Sequence, residues 1–318
     1  MNEHTKLEQA PRPLPGLPPG KPGLGAVHLA VTDRDRALSF YRDVLGLEPV
    51  DPTEHTLRMA AGGRVLVVLH PGALGPVTSR CTGLYHFAIH VQTDEEFARV
   101  LARLFALRWP HSPTDHTMSK ATYLSDPDGN GVEVTLETPE RLGRLIVTDE
   151  DYVVIDSAGV RRSGRDPVDL DEAFAHLPAE PDLGRPMPAG TTVGHIHLHV
   201  NDLDATMRFY SEGLGLDAWA FARGLGMADT TVDGWLPHLV AFNVWNGVQA
   251  PRPPRGTAGL RWYTFALPTP ADREAAATRL EAQGVHVERS ADRMRVHDPS
   301  GNAIALTIRR GRDAPEAT

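Results

Sequence analysis

Val27–Leu47 reads VHLAVTDRDRALSFYRDVLGL, and Ile196–Leu216 reads IHLHVNDLDATMRFYSEGLGL. His28 falls on His197, Phe40-Tyr41 on Phe209-Tyr210 and Gly46 on Gly215, all at one offset of 169 residues. A match that keeps its offset over this length is an internal repeat. A second pair follows. Gly83-Leu84-Tyr85-His86-Phe87-Ala88-Ile89 is echoed by Gly259-Leu260 and Tyr263-Thr264-Phe265-Ala266-Leu267. Asp126-Pro127-Asp128-Gly129-Asn130 is echoed by Asp298-Pro299-Ser300-Gly301-Asn302. The chain is therefore four copies of one unit.

Each unit opens on a short apolar strand, as at 26–31. Thr32 or Asp33 then caps a helix whose apolar face is Ala37, Phe40, Tyr41, Val44 and Leu45. Gly46 ends that helix, because the position after a helix favours a residue tolerant of positive φ. Strands at 56–60 and 64–69 follow, joined by Gly62-Gly63, a hairpin signal. The same pattern places helices at 94–106, 203–212 and 271–283, the last ended by Gly284. The DPxGN segments read as tight turns between strands, since Pro presets φ and Gly or Asn accepts φ > 0. The expected fold class is α+β: four βαβββ modules. Grouped in chain order, modules one and two make a domain at 24–140, and modules three and four make another at 191–310. Residues 1–23 form a flexible Pro/Gly-rich lead-in. Residues 141–190 form a linker with a strand at 152–155 and a helix at 169–176, and 311–318 form a tail.

The 318 residues are 41% apolar, enough for two cores. A formal net charge of −9 with no basic stripe argues against nucleic acid as a partner. The single cysteine, Cys81, excludes an internal disulfide framework and fits a reducing compartment. The N-terminus has no apolar signal core, and no run reaches the length of a membrane span. A cytoplasmic location is the expectation.

Histidines and one carboxylate carry the chemistry. Glu133 sits in GVEVTL among apolar neighbours, where a buried charge is costly unless it is paired or binds a metal. His195, His197 and His199 alternate along one strand and share a face, as metal ligands do, but no carboxylate follows at the matching turn. His90 shares the strand face of His86. His238 and His297 read as structural or pocket residues. His70, at the end of the last strand of module one, is a candidate for the pocket mouth.

The first-strand histidine, the FYxxxLG helix end and the DPxGNxxE turn together resemble the vicinal oxygen chelate superfamily of glyoxalases, bleomycin-resistance proteins and extradiol dioxygenases. GLYHFAI, YLSDPDGNGVE, GHIHLHV, FNVWNGVQAPRPP and GLRWYTFALP are similar to two-domain bacterial proteins of the catechol 2,3-dioxygenase group. The resemblance implies that paired modules curl into half-barrels, with a metal held from first and last strands. The positions in the N-terminal half are His28, Leu66, His86 and Glu133, so His28, His86 and Glu133 are the expected ligands. In the C-terminal half they are His197, Ala241, Thr264 and Ala305, too few for a metal. Two imidazoles and one carboxylate leave three positions of an octahedral ion open, which matches a bidentate catecholate and dioxygen. Fe(II) is the expected metal, with Mn(II) the alternative. Tyr123, ten residues before Glu133, is implied to hydrogen-bond the substrate oxygen, and His116 to lie on the oxygen-binding side. The expected activity is extradiol cleavage of a small aromatic diol with O2. The alternatives are another metal-dependent reaction (isomerisation, hydrolysis or thiol transfer) or a small-molecule binding or resistance protein. Edge strands leave homo-oligomerisation open.

Overall fold

The computed structural model of the chain describes residues 7–9, 20–148, 152–233, 238–290 and 293–309. Most of the expected lead-in and all of the 311–318 tail lie outside the described residues.

Each module is a strand, a helix and three strands. Module one has strands Gly23–Val31, Glu48–Val50, Leu57–Ala61 and Arg64–Pro71. Module two has Gly83–Val91, His111–Asp115, Ser119–Ser125 and Gly131–Glu137. Module three has Thr192–His199, Asp217–Ala222, Met227–Thr231 and Val240–Asn243. Module four has Gly259–Leu267, Glu288–Arg289, Met294–His297 and Ala303–Ile308. Side-chain caps start the helices where the sequence calls for them. Asp33 accepts from the Arg36 N–H before helix Arg34–Ser39, and Thr93 accepts from the Glu96 N–H before Asp94–Ala106. In modules one and three the FY dipeptide sits in a π-helical turn, Phe40–Val44 and Phe209–Gly213. Gly62 and Gly63 take φ of 52° and 82°, the two positive angles a tight hairpin turn requires.

The result is a two-domain α+β fold of mixed sheets with few helices, but the sheets are not assembled in chain order. The nine-stranded sheet joins module two to module three, and the eight-stranded sheet joins module four to module one. At each seam two first strands pair antiparallel: Gly83–Val91 with Thr192–His199, and Gly23–Val31 with Gly259–Leu267. The expected domains at 24–140 and 191–310 thus group modules that do not share a sheet. Consecutive modules touch through helix and turn instead. The Tyr41 hydroxyl donates to Asp126 at 3.1 Å, Arg36 pairs with Asp128 at 2.7 Å, and Tyr210 donates to Asp298 at 3.5 Å. The FY and DP signatures thus bind neighbours in sequence, while backbone pairing binds modules far apart.

Helices cover one face of the sheets. Val27, Leu29 and Val31 point into a continuous core with Phe40, Tyr41, Phe87, Phe97, Phe209, Tyr210, Phe242 and Phe265. Strand alternation sends His28, His86 and His195 to the opposite, concave face. The stretch 141–190 has structure of its own. Strands Leu142–Val147, Tyr152–Asp156 and Arg161–Arg162 form a small antiparallel sheet with Leu7–Gln9. Leu142, Leu145 and Val154 pack there against Trp219. Asp166–Pro167 extends the nine-stranded sheet beside His111–Asp115, and helix Leu170–Phe174 follows. Among the described residues, no helix is long and apolar enough to cross a membrane.

Candidate metal centre

The seam between modules two and three gathers a buried polar cluster. In the ladder, Tyr123 stands opposite Glu133, Glu133 opposite Ala88, and Ala88 opposite His195. These four residues form one row across four strands, with side chains on one face. Ala88 has only a methyl group, so the Glu133 carboxylate and the His195 imidazole meet over it. Glu133 Oε2 lies 3.0 Å from His195 Nε2 and 3.0 Å from His86 Nε2. The ligand atoms of His86, Glu133 and His195 all lie within 4.8 Å of one another. All three side chains are buried.

Burial alone would raise the carboxyl of Glu133, but His195 and then His86 outweigh it and hold the group well below the usual carboxylate range. Burial keeps His86 below the ordinary imidazole value despite its carboxylate partner. An ionised carboxylate is the form in which Glu133 could hold a divalent metal. The donor set fits such an ion: two imidazoles and one carboxylate can occupy one face and leave other positions open.

Further contacts orient these groups. Thr135 Oγ1 donates to Glu133 Oε1 at 2.7 Å. His195 Nδ1 lies 3.1 Å from His90 Nε2, which directs Nε2 of His195 toward Glu133. His90, fully buried, is lowered to about 3 by desolvation, and Glu137 behind it is pushed well above the usual carboxyl range by burial. His197 is otherwise engaged: Asn243 Nδ2 donates to its Nε2 at 2.8 Å, while Asn243 Oδ1 accepts from His199 Nδ1 at 2.8 Å. The His238 ring lies against the His195 ring at 4.5 Å between centroids, and its Nε2 has no hydrogen-bond partner.

Tyr123 and His116 sit at the edge of this cluster. The Tyr123 hydroxyl is beside the Glu133 carboxylate, and burial, then that carboxylate, raise its pKa. His116 Nδ1 donates to the Gly164 carbonyl at 2.6 Å, and its Nε2 lies 2.8 Å from the Tyr123 hydroxyl. A cleft of about 480 Å³ opens alongside, lined by Tyr85, His86, His111 and Tyr123 among others. It reaches His86 and Tyr123, with Glu133 and His195 behind them. Its volume suits a small organic ligand.

Of the sequence candidates, the structure brings together His86, Glu133, Tyr123 and His116. It does not bring His28 or His70 to them. His28 is on the other sheet, opposite Trp262 in the ladder, with its Nδ1 3.1 Å from His70 Nε2. The expected ligand set is corrected accordingly, because module one pairs with module four and carries His28 away from module two. His195 replaces it. The signal was the alternating His195, His197 and His199, whose carboxylate comes from module two rather than from their own half.

The chain is similar to known proteins over most of its length. The model of the Glyoxalase/Bleomycin resistance protein/Dioxygenase superfamily matches residues 23–134 and 192–306, and the chain belongs to that superfamily. More narrowly, the chain is 32% identical over 295 residues to a catechol-2,3-dioxygenase of Bacillus subtilis (strain 168), covering 90% of this chain and 97% of that protein. Two solved structures share the fold. A putative dioxygenase from B. subtilis subsp. subtilis str. 168 superposes with a TM-score of 0.59 at 12% identity, over 92% of this chain and 88% of that one. Glyoxalase I from Zea mays superposes at 0.54 and 14% identity, over 91% and 92%.

Proposed function

We propose that this chain is an extradiol ring-cleaving dioxygenase that acts on a catechol-type substrate with O2 at His86, Glu133 and His195. The observation that carries it is the convergence of two imidazoles and one carboxylate from three strands, beside a cleft that also reaches Tyr123. The identity to a catechol-2,3-dioxygenase over nearly the whole chain supports the reaction class.

The chemistry supplied at this triad by a bound Fe(II), or alternatively Mn(II), would be Lewis-acid chelation of both diol oxygens and an electron path to dioxygen. The protein's part is placement and proton control. The cleft holds the ring against His86 and Tyr123. The Tyr123 hydroxyl, kept protonated, donates a hydrogen bond to a diol oxygen. His116 Nε2, 2.8 Å from that hydroxyl, takes or returns a proton through it. The Gly164 carbonyl fixes the proton of His116 on Nδ1 and leaves Nε2 for this exchange.

Metal analysis followed by oxygen uptake over a panel of catechols tests the proposal. One equivalent of metal, oxygen consumption and a yellow ring-opened product are expected. A metal-bearing protein that consumes no oxygen with any catechol contradicts the dioxygenase assignment, and a protein that binds no metal contradicts the site as well.

A further inference from the structure

The second seam, between modules one and four, has the same strand layout and a different lining. Where the first seam sets His86 opposite His197, this one sets Trp262 opposite His28. The His28 and Trp262 rings stack at 4.2 Å and 21°. His70 closes the group, its ring 5.1 Å from Trp262. No carboxylate takes the place of Glu133. The last strand of module one offers Val68 opposite His28, and that of module four offers Ala305 opposite Thr264.

Arginines fill this face instead. The guanidinium carbons of Arg295, Arg261 and Arg293 lie 5.2, 5.4 and 5.9 Å from the Trp262 ring centre. Arg58 stands opposite Val68 on the neighbouring strand. His28 is lowered to about 3 by burial first, then by His70, Arg293, Arg261 and Arg58, so these cations lie close around it. Among the described residues, none of the four arginines makes an ion pair or side-chain hydrogen bond. Glu288, the cross-strand neighbour of Arg295, is exposed and does not pair with it. Arg295 Nε is buried without a partner. Like charges crowded together with a buried, unsatisfied donor are unfavourable unless an anion joins them.

We infer that this half-barrel binds a small organic anion through a carboxylate. Guanidinium forks match the two oxygens of a carboxylate. The flat His28–Trp262 stack adds an apolar wall for an organic ring, which an inorganic oxyanion could not use. The site lies on a different sheet from the metal triad and does not depend on the reaction proposed there.

Isothermal titration and tryptophan fluorescence of the full-length chain, with benzoate and with inorganic phosphate, test this. Benzoate is expected to bind one per chain. Arg295→Gln and Arg58→Gln should each weaken it at least tenfold, and Trp262→Phe should remove the fluorescence response. The His195→Ala chain should bind benzoate with unchanged affinity. Should Arg295→Gln fail to fold by circular dichroism, Arg58→Gln carries the same comparison. Benzoate affinity unchanged in the arginine variants, or lost in His195→Ala, overturns the inference. Binding of phosphate without benzoate overturns the carboxylate assignment.

Discussion

Glu133 Oε2 and His195 Nε2 stand 3.0 Å apart although 62 residues separate them in the chain. Their strands are not neighbours. Gly83–Val91 runs between them and contributes Ala88 to the row, so the contact exists only because that strand carries a methyl group there. Modules two and three thus build this cluster together, and neither holds it alone.

The approach of His90 to His195 depends on an absent side chain. A Cβ at residue 194 would overlap the His90 imidazole. Gly194→Ala is therefore expected to turn His90 away from His195 Nδ1 and to weaken metal binding by roughly ten- to a hundredfold, the usual scale for loss of an orienting contact. Titration with a chromophoric chelator reads this. Wild-type affinity in Gly194→Ala would mean that His90 does not orient the ligand.

Tyr123→Phe removes a hydroxyl that reaches both Glu133 and His116 and leaves the ring in place. Metal content should not change. Turnover in the oxygen-uptake assay should fall by about 10²–10⁴-fold, the range for loss of a positioned proton donor. Activity within a few-fold of wild type would remove Tyr123 from the proton path.

Asp229 is buried in the same half-barrel, accepts the Ala220 N–H at 2.9 Å, and is pushed by burial from 3.8 up to about 8. A raised acid keeps its proton in the folded chain. Its stabilising contribution is full below about pH 4 and is lost as pH rises through about 8. Asp229→Asn keeps an acceptor for Ala220 and has no proton to lose. Urea unfolding from pH 4 to 8 should show the variant gaining steadily on the wild type. A pH-independent difference would place the carboxyl in contact with water.

The repeats made the modules legible, and local physics explains why. Asp33, Thr93 and Thr269 cap helices from within their own segments, and Gly62-Gly63 makes its turn alone. The histidine-bearing faces follow from strand alternation, so His86, Glu133 and the His195 face could be read directly. The pairing of whole modules could not. Backbone hydrogen bonds are blind to sequence, and nothing local to VHLAV tells Gly23–Val31 to pair with Gly259–Leu267 rather than Gly83–Val91. Register was hidden too. Irregularities between Val193 and His195, and between His197 and Leu198, decide which histidine faces Glu133. With modules paired in chain order, His28 reads as a ligand and His195 as an orphan.

On this geometry the third ligand comes from module three. Metal content by mass spectrometry after anaerobic loading with Fe(II) tests it most directly, on wild type, His195→Ala and His28→Ala side by side. About one iron per chain is expected in wild type and His28→Ala, with most of it lost in His195→Ala. Iron retained by His195→Ala and lost from His28→Ala would contradict it.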